Sequence, residues 1–226
     1  MITYNSPKYN NLSKKILEIL NFNNIDTFDS ESIIPQNVLD AITLLVQDCV
    51  MASDKFLTEK CPKCGKTHLK IFNSSYSRNI IIKVNNVLIK VKLVVPRLIC
   101  ENCGATHAVL PDFCVPLKRY SKDTILEIVN MALEKGTEKT SATLNIEAKQ
   151  VRRFMNIVKS TLCNLSLLVY KLKVTMDFIQ YKLNDLYNLL KEIPNITEKY
   201  FEEIRSIFLY EKNKRNLYIE YSKLST

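Results

Sequence analysis

The feature that most constrains the fold is a pair of matched cysteine turns. Cys61-Pro62-Lys63-Cys64-Gly65 and Cys100-Glu101-Asn102-Cys103-Gly104 give the spacing C-x2-C-x35-C-x2-C. Two cysteines separated by two residues can place both sulfurs on one ion, with backbone N–H groups aimed at the thiolates. Two such turns complete a closed tetrahedral zinc site. The glycine after each second cysteine suits a turn that needs positive φ. Cys61, Cys64, Cys100 and Cys103 are therefore the expected ligands of one structural Zn2+. Disulfides or redox pairs would not explain two matched turns around a hairpin. Cysteines in this arrangement point to metal and a cytoplasmic setting. Cys49, Cys114 and Cys163 read as small core residues.

The segment between the pairs reads as a β-hairpin. Ile80-Ile81-Ile82-Lys83-Val84 leads to Asn85-Asn86, and Val87 to Val95 returns. Asparagine tolerates the positive φ of a tight turn. This register sets Val84, Ile82 and Ile80 against Val87, Ile89 and Val91, so one face is wholly apolar. The other carries Lys83, Lys90 and Lys92 and is expected to be basic and wet.

Charge is concentrated in the same block. The chain holds 32 Lys and Arg against 23 Asp and Glu, a net +9. Residues 1–60 are net −3, whereas residues 61–120 contain 10 basic and 2 acidic side chains. Four thiolates and a divalent ion leave that block at about +6. Localised positive charge indicates a polyanionic partner. The three glycines are scattered, which excludes both a Walker phosphate loop and a G-x-G-x-x-G fingerprint. No apolar run is long enough for a transmembrane helix, so no membrane association is expected, and the N-terminus does not read as a signal peptide.

Helices flank this block. Leu12, Ile16, Ile19 and Leu20 form one apolar stripe; Val38, Leu39, Ile42, Leu45 and Val46 form a second, with Pro35 near its start. Ser121 precedes a helix with Ile125, Ile128, Val129, Ala132 and Leu133 inward, ending at Gly136. Residues 136–154 then read as a helix-turn-helix. Ser141 sits where two helices approach, and Asn145 where the turn needs a left-handed residue. Leu144, Ile146, Val151 and Phe154 form the core between the helices. Lys149, Gln150, Arg152, Arg153 and Asn156 point outward, residue types suited to base edges and phosphates. Lys83, Lys90, Lys92, Arg97, Lys118 and Arg119 are further candidate DNA contacts.

From Leu165 to Ile193 apolar residues alternate in steps of four and three, a heptad pattern that ends before Pro194. A last helix is expected around Tyr200 to Tyr221. The stripe is wide and its flanks lack complementary charge pairs, which favours an intrachain hairpin with residues 198–221 over a homodimer through residues 164–193.

A zinc ribbon, the linker from Leu110 through Pro111, Asp112 and Phe113 to Lys118, Arg119, Tyr120 and Ser121, and a helix-turn-helix with Val151-Arg152-Arg153-Phe154 resemble a known group. They look like uncharacterised bacterial proteins related to insertion-sequence transposases. They are also similar to the N-terminal DNA-binding part of transposases that carry an acidic-triad nuclease domain downstream. The resemblance covers roughly residues 35–160. It implies DNA-end binding, with contacts at Lys149, Gln150, Arg152 and Arg153. Asn145 stands in place of the usual glycine, and Phe154 where tryptophan is common. The 63 residues after position 163 are too few for a ribonuclease-H-like nuclease and read as helices, so no catalysis is implied.

The expected fold class is α+β and mainly α. A small zinc-ribbon β-hairpin domain is flanked by helices and followed by a helix-turn-helix and a C-terminal helical hairpin. The expected divisions are 1–57, 58–112, 113–163 and 164–226. The expected function is non-catalytic binding of duplex DNA; a zinc-ribbon adapter for protein partners, with a helical dimerisation tail, is the alternative. Four thiolates already fill the tetrahedral set. His68 and His107, the only histidines, are therefore read as polar residues beside the knuckles, in contact with phosphate or backbone.

Overall fold

A computed structural model describes residues 2–4, 12–111 and 113–171. The element order is β1 (Ile2–Tyr4), α1 (Leu12–Phe22), α2 (Gln36–Gln47), β2 (Leu69–Ile71), β3 (Tyr76–Val84), β4 (Val87–Val95), β5 (Arg97–Cys100), β6 (Thr106–Pro111), α3 (Lys122–Lys135), α4 (Thr137–Leu144) and α5 (Ala148–Lys171). The expectation of a mainly α chain carrying one small hairpin domain is overturned. The described residues form a mixed α/β fold with six strands in two sheets. One sheet has the order β1-β6-β5-β2, with β1 parallel to β6 and the other pairs antiparallel. The other is the hairpin β3-β4. The four strands of the first sheet are three to six residues long. Such short strands show no alternation that periodicity can detect. The C-terminal helical hairpin, the last helix and the dimer seam through residues 164–193 lie, beyond residue 171, outside the described residues.

The hairpin register is as the alternation predicts: Val84 opposite Val87, Ile82 opposite Ile89, Ile80 opposite Val91. Its apolar face is buried, but not against the cysteine turns. Val38, Ile42 and Val46 of α2 and Leu12, Ile16 and Leu20 of α1 share one core with Ile80, Ile82, Ile89 and Val91. The N-terminal helices thus cover the hairpin. Trimming one of these isoleucines to alanine should cost about 2–5 kcal/mol. Cys49 and Cys114 are small core residues here, as expected. Asn85 takes φ 52° at the turn. Its side-chain amide donates to Thr27 Oγ1 at 2.7 Å, and that of Asn86 donates to the Phe28 carbonyl at 3.0 Å. These bonds fasten the hairpin tip to the α1–α2 connection, something glycine could not do.

The hairpin's other face is only partly wet. Helix α3 lies along β3, and the Lys83 N–H donates to Thr124 Oγ1 at 2.8 Å. A second core joins α3, α4 and α5 through Ile125, Ile128, Val129, Leu144, Val151 and Phe154. Helix α3 is capped by the Ser121 side chain, which accepts from the Thr124 N–H.

Candidate functional site

The two cysteine turns are built alike. In the first, Cys61 N–H donates to the Lys66 carbonyl and Gly65 N–H to the Cys61 carbonyl, both at 2.8 Å. In the second, Cys100 N–H donates to Ala105 at 2.9 Å and Gly104 N–H to Cys100 at 2.8 Å. Gly65 and Gly104 take φ 73° and 67°, which a side chain would resist. The equivalence breaks one residue on. Glu101 N–H donates to the His68 carbonyl, whereas its counterpart, Pro62, has no N–H.

Together the turns bring the Sγ atoms of Cys61, Cys64, Cys100 and Cys103 within 4.8 Å of one another. Cys61 and Cys103 are 3.7 Å apart, and Cys64 and Cys100 3.6 Å. This group can hold a metal ion. Cys61 and Cys100 are buried, and Cys64 and Cys103 half-buried.

The thiols do not ionise alike. Backbone N–H donation from Lys66 holds Cys64 down at about 6. Burial opposes ionisation of Cys61, but donation from the Cys64 and Lys63 amides outweighs it and lowers that thiol too. At Cys103 the Ala105 amide also favours the thiolate. Burial and the neighbouring sulfurs prevail, and the thiol is pushed up to about 11. Four negative sulfurs this close repel one another; a cation among them removes the conflict.

His107 is only 5% exposed, and its Nε2 lies 3.2 Å from the Cys61 sulfur. Burial depresses its pKa, so the neutral ring is the form beside the sulfur. His68, by contrast, is exposed. Spacing did not separate the two histidines, because the distinction arises from β6 lying in the centre of its sheet.

Where the sequence suggested a helix-turn-helix, α4 and α5 are joined by a tight turn. Asn145 adopts φ 50°, ψ 50°, between α4 and α5. Ser141 Oγ donates to the Ile146 carbonyl across the turn. On α5, Lys149, Arg152, Arg153 and Asn156 are exposed and Gln150 is half-buried. Arg152 forms an ion pair with Glu138 of α4.

The remaining candidate cations divide. Lys90 and Lys92 are exposed on β4. Lys83 departs from the expected wet face: its side chain is 10% exposed and its Nζ lies 3.1 Å from Glu127 Oε2. Arg97 donates to Thr106 Oγ1 at 2.7 Å and lies over the Phe72 ring, bracing the sheet that carries the cysteines. Lys118 is half-buried and Arg119 exposed. Sequence reasoning missed Arg78, which donates to the carbonyls of Val115 and Lys118. Its position on a strand gave no sign of that partner. Among the described residues no helix is long and apolar enough to cross a membrane.

Residues 61–154 match the model of a family described as a domain of unknown function (DUF6431). The matched stretch begins at the first cysteine of the cluster and ends at Phe154, in the core shared by α3, α4 and α5. No curated protein and no solved structure matches the chain.

Proposed function

We propose that this chain is a non-catalytic, transposase-related protein that binds duplex DNA, with one structural zinc at Cys61, Cys64, Cys100 and Cys103. The observation that carries the reading is the α4–α5 pair. Its left-handed turn at Asn145 and buried Leu144, Val151 and Phe154 leave Lys149, Arg153 and Asn156 exposed on the second helix. A helix held in this way can enter a major groove with its cations toward phosphate and its amides toward base edges.

Zinc is favoured by the sulfur spacing. A Zn–S bond of about 2.3 Å in a tetrahedron implies sulfurs about 3.8 Å apart. The distances of 3.7 and 3.6 Å come close to that value. Four thiolate ligands leave no open position for an activated water, which supports a structural role. Lys90, Lys92 and Arg119 are free to extend the electrostatic footprint; Lys83 and Arg97 are better assigned to holding the fold.

The test is a mobility-shift titration of zinc-loaded protein on duplex DNA across a salt series. Binding that weakens steeply with salt is expected. Absence of binding at low salt sinks the reading. The alternative, an adapter for protein partners, draws on Phe22, Phe28, Ile33 and Leu44, large apolar side chains left exposed around α1 and α2. A stoichiometric protein partner together with indifference to DNA would select it.

A further inference from the structure

The turn that precedes α3 carries a residue that the fold does not ask for. Lys118 N–H donates to the Val115 carbonyl at 3.2 Å, closing a four-residue turn. Pro116 occupies its second position and Leu117 its third, with φ 57°. Proline followed by a positive φ is the signature of a type II turn, whose third position takes Gly or Asn. Leucine there crowds its Cβ against the backbone. The strain gains no burial in return, because Leu117 is 84% exposed. A glycine would serve the turn better on both counts.

The turn is rigid. The Arg78 guanidinium donates to the Val115 carbonyl at 3.0 Å and also to that of Lys118. Val115 is buried in the core of α3, α4 and α5. Tyr120 meets Phe154 of α5 edge-on, with ring centroids 4.9 Å apart. Beyond the tip, Ile81 N–H donates to the Arg119 carbonyl and Ser121 N–H to the Ile81 carbonyl, which ties the segment to β3. A strained, exposed apolar tip is thus carried on a segment anchored in the core of α3, α4 and α5, with Lys118 and Arg119 following it. No acidic residue occurs from Phe113 to Ser121.

We infer that Leu117 is an apolar wedge that enters a base step of bound duplex DNA, with Arg119 on the adjoining phosphates. The inference rests on the DNA-binding reading above. An apolar side chain next to cations fits nucleic acid: the cations hold the backbone while the wedge partly unstacks one step and bends the duplex. Flexible pyrimidine–purine steps are the favoured points of entry.

The experiment uses the full zinc-loaded chain and short duplexes with a fluorophore at each end, rich in pyrimidine–purine steps. Wild-type protein should raise end-to-end energy transfer. Leu117→Gly should abolish that rise and weaken binding by about tenfold. Its slope of affinity against salt should stay unchanged, because no cation is lost. Its Tm should rise by about 2–4 °C as the strain is relieved. Ile33→Ala, which trims another exposed apolar residue, should change neither bending nor binding. A Leu117→Gly protein that binds and bends as the wild type does overturns the wedge and leaves DNA binding standing. A lowered Tm in Leu117→Gly would make the leucine a packing residue, which also overturns it. A wild-type protein that binds no duplex at low salt overturns the wedge and the function together.

Discussion

The imidazole Nε2 of His107 lies 3.2 Å from the Sγ of Cys61, inside the buried side of the cysteine cluster. A neutral ring can donate one N–H to that sulfur without displacing any of the four thiolates. The hydrogen bond would draw charge from Cys61 and fix its direction. Groups that orient a ligand in this way are typically worth about 10–100-fold in metal affinity. His107→Phe is therefore expected to keep four sulfur ligands and one metal while weakening binding by about that factor. Competition against a chromophoric chelator reads the affinity. A variant that loses metal altogether would instead make His107 a ligand.

Metal removal should act locally before it acts globally. Among the described residues, and apart from its cysteines, the apolar core around the cluster contains only Ile2, Phe56, Leu69, Leu98 and Val109 as buried residues. So small an apolar set needs a staple. The cores of the hairpin and of α3, α4 and α5 are built from other residues. Chelation should expose the amides of β2, β5 and β6 to hydrogen exchange while those of α3 and α5 stay protected. Uniform loss of protection would show that the three cores unfold as one.

Acid should mimic the chelator. Metal binding requires thiolates, yet Cys103 is pushed up to about 11 and is a thiol at neutral pH in the free cluster. Uptake of a cation there must expel that proton. Affinity therefore falls as pH falls, and more steeply below about 6, where Cys64 is protonated as well. Proton release on titration with zinc in weak buffer, and chelator competition at stepped pH, both check the sign. Affinity independent of pH would mean that the thiols are not the ligands.

The edge of β4 offers a test of how the hairpin avoids pairing with other strands. Gln47, the last residue of α2, donates from its amide to the Val94 carbonyl at 3.1 Å and accepts from the Val94 N–H at 2.8 Å. One side chain thus occupies both outward backbone groups of Val94, which a neighbouring strand would otherwise use at that end of the edge. Gln47→Leu should lose about 1 kcal/mol. It should also increase self-association, seen by light scattering, because an unpaired strand edge templates pairing. Gln36→Leu, at an exposed position on the same helix, should do neither. Equal scattering from the two variants would assign Gln47 no protective role.

These relationships mark where sequence stops being informative. The cysteine turns, the hairpin register and the left-handed Asn145 were legible because each depends on residues close in the chain. A residue type, a φ angle or a period of two carries the whole signal. Lys83 shows the limit. Alternation correctly placed it away from the apolar face but could not say that α3 would cover it and supply Glu127 as its partner. The pairing of β1 with β6 joins residues more than a hundred positions apart through three-residue contacts. His107 and Cys61 meet for the same reason: a sheet order that the sequence does not display.

The Arg152–Glu138 ion pair gives the sharpest test of the α5 face. Both side chains are well exposed, so the pair should add less than about 1 kcal/mol to stability. Its effect on DNA is larger in principle, because Glu138 both occupies Arg152 and repels phosphate. Glu138→Gln should therefore bind duplex more tightly and steepen the dependence on salt by about one phosphate contact. Arg153→Ala should weaken binding and make the dependence shallower by a similar amount. Replacing Lys14 and Lys15 on α1 should change neither. Unaltered affinity and salt slope in Glu138→Gln would mean that the phosphate backbone does not lie against α5.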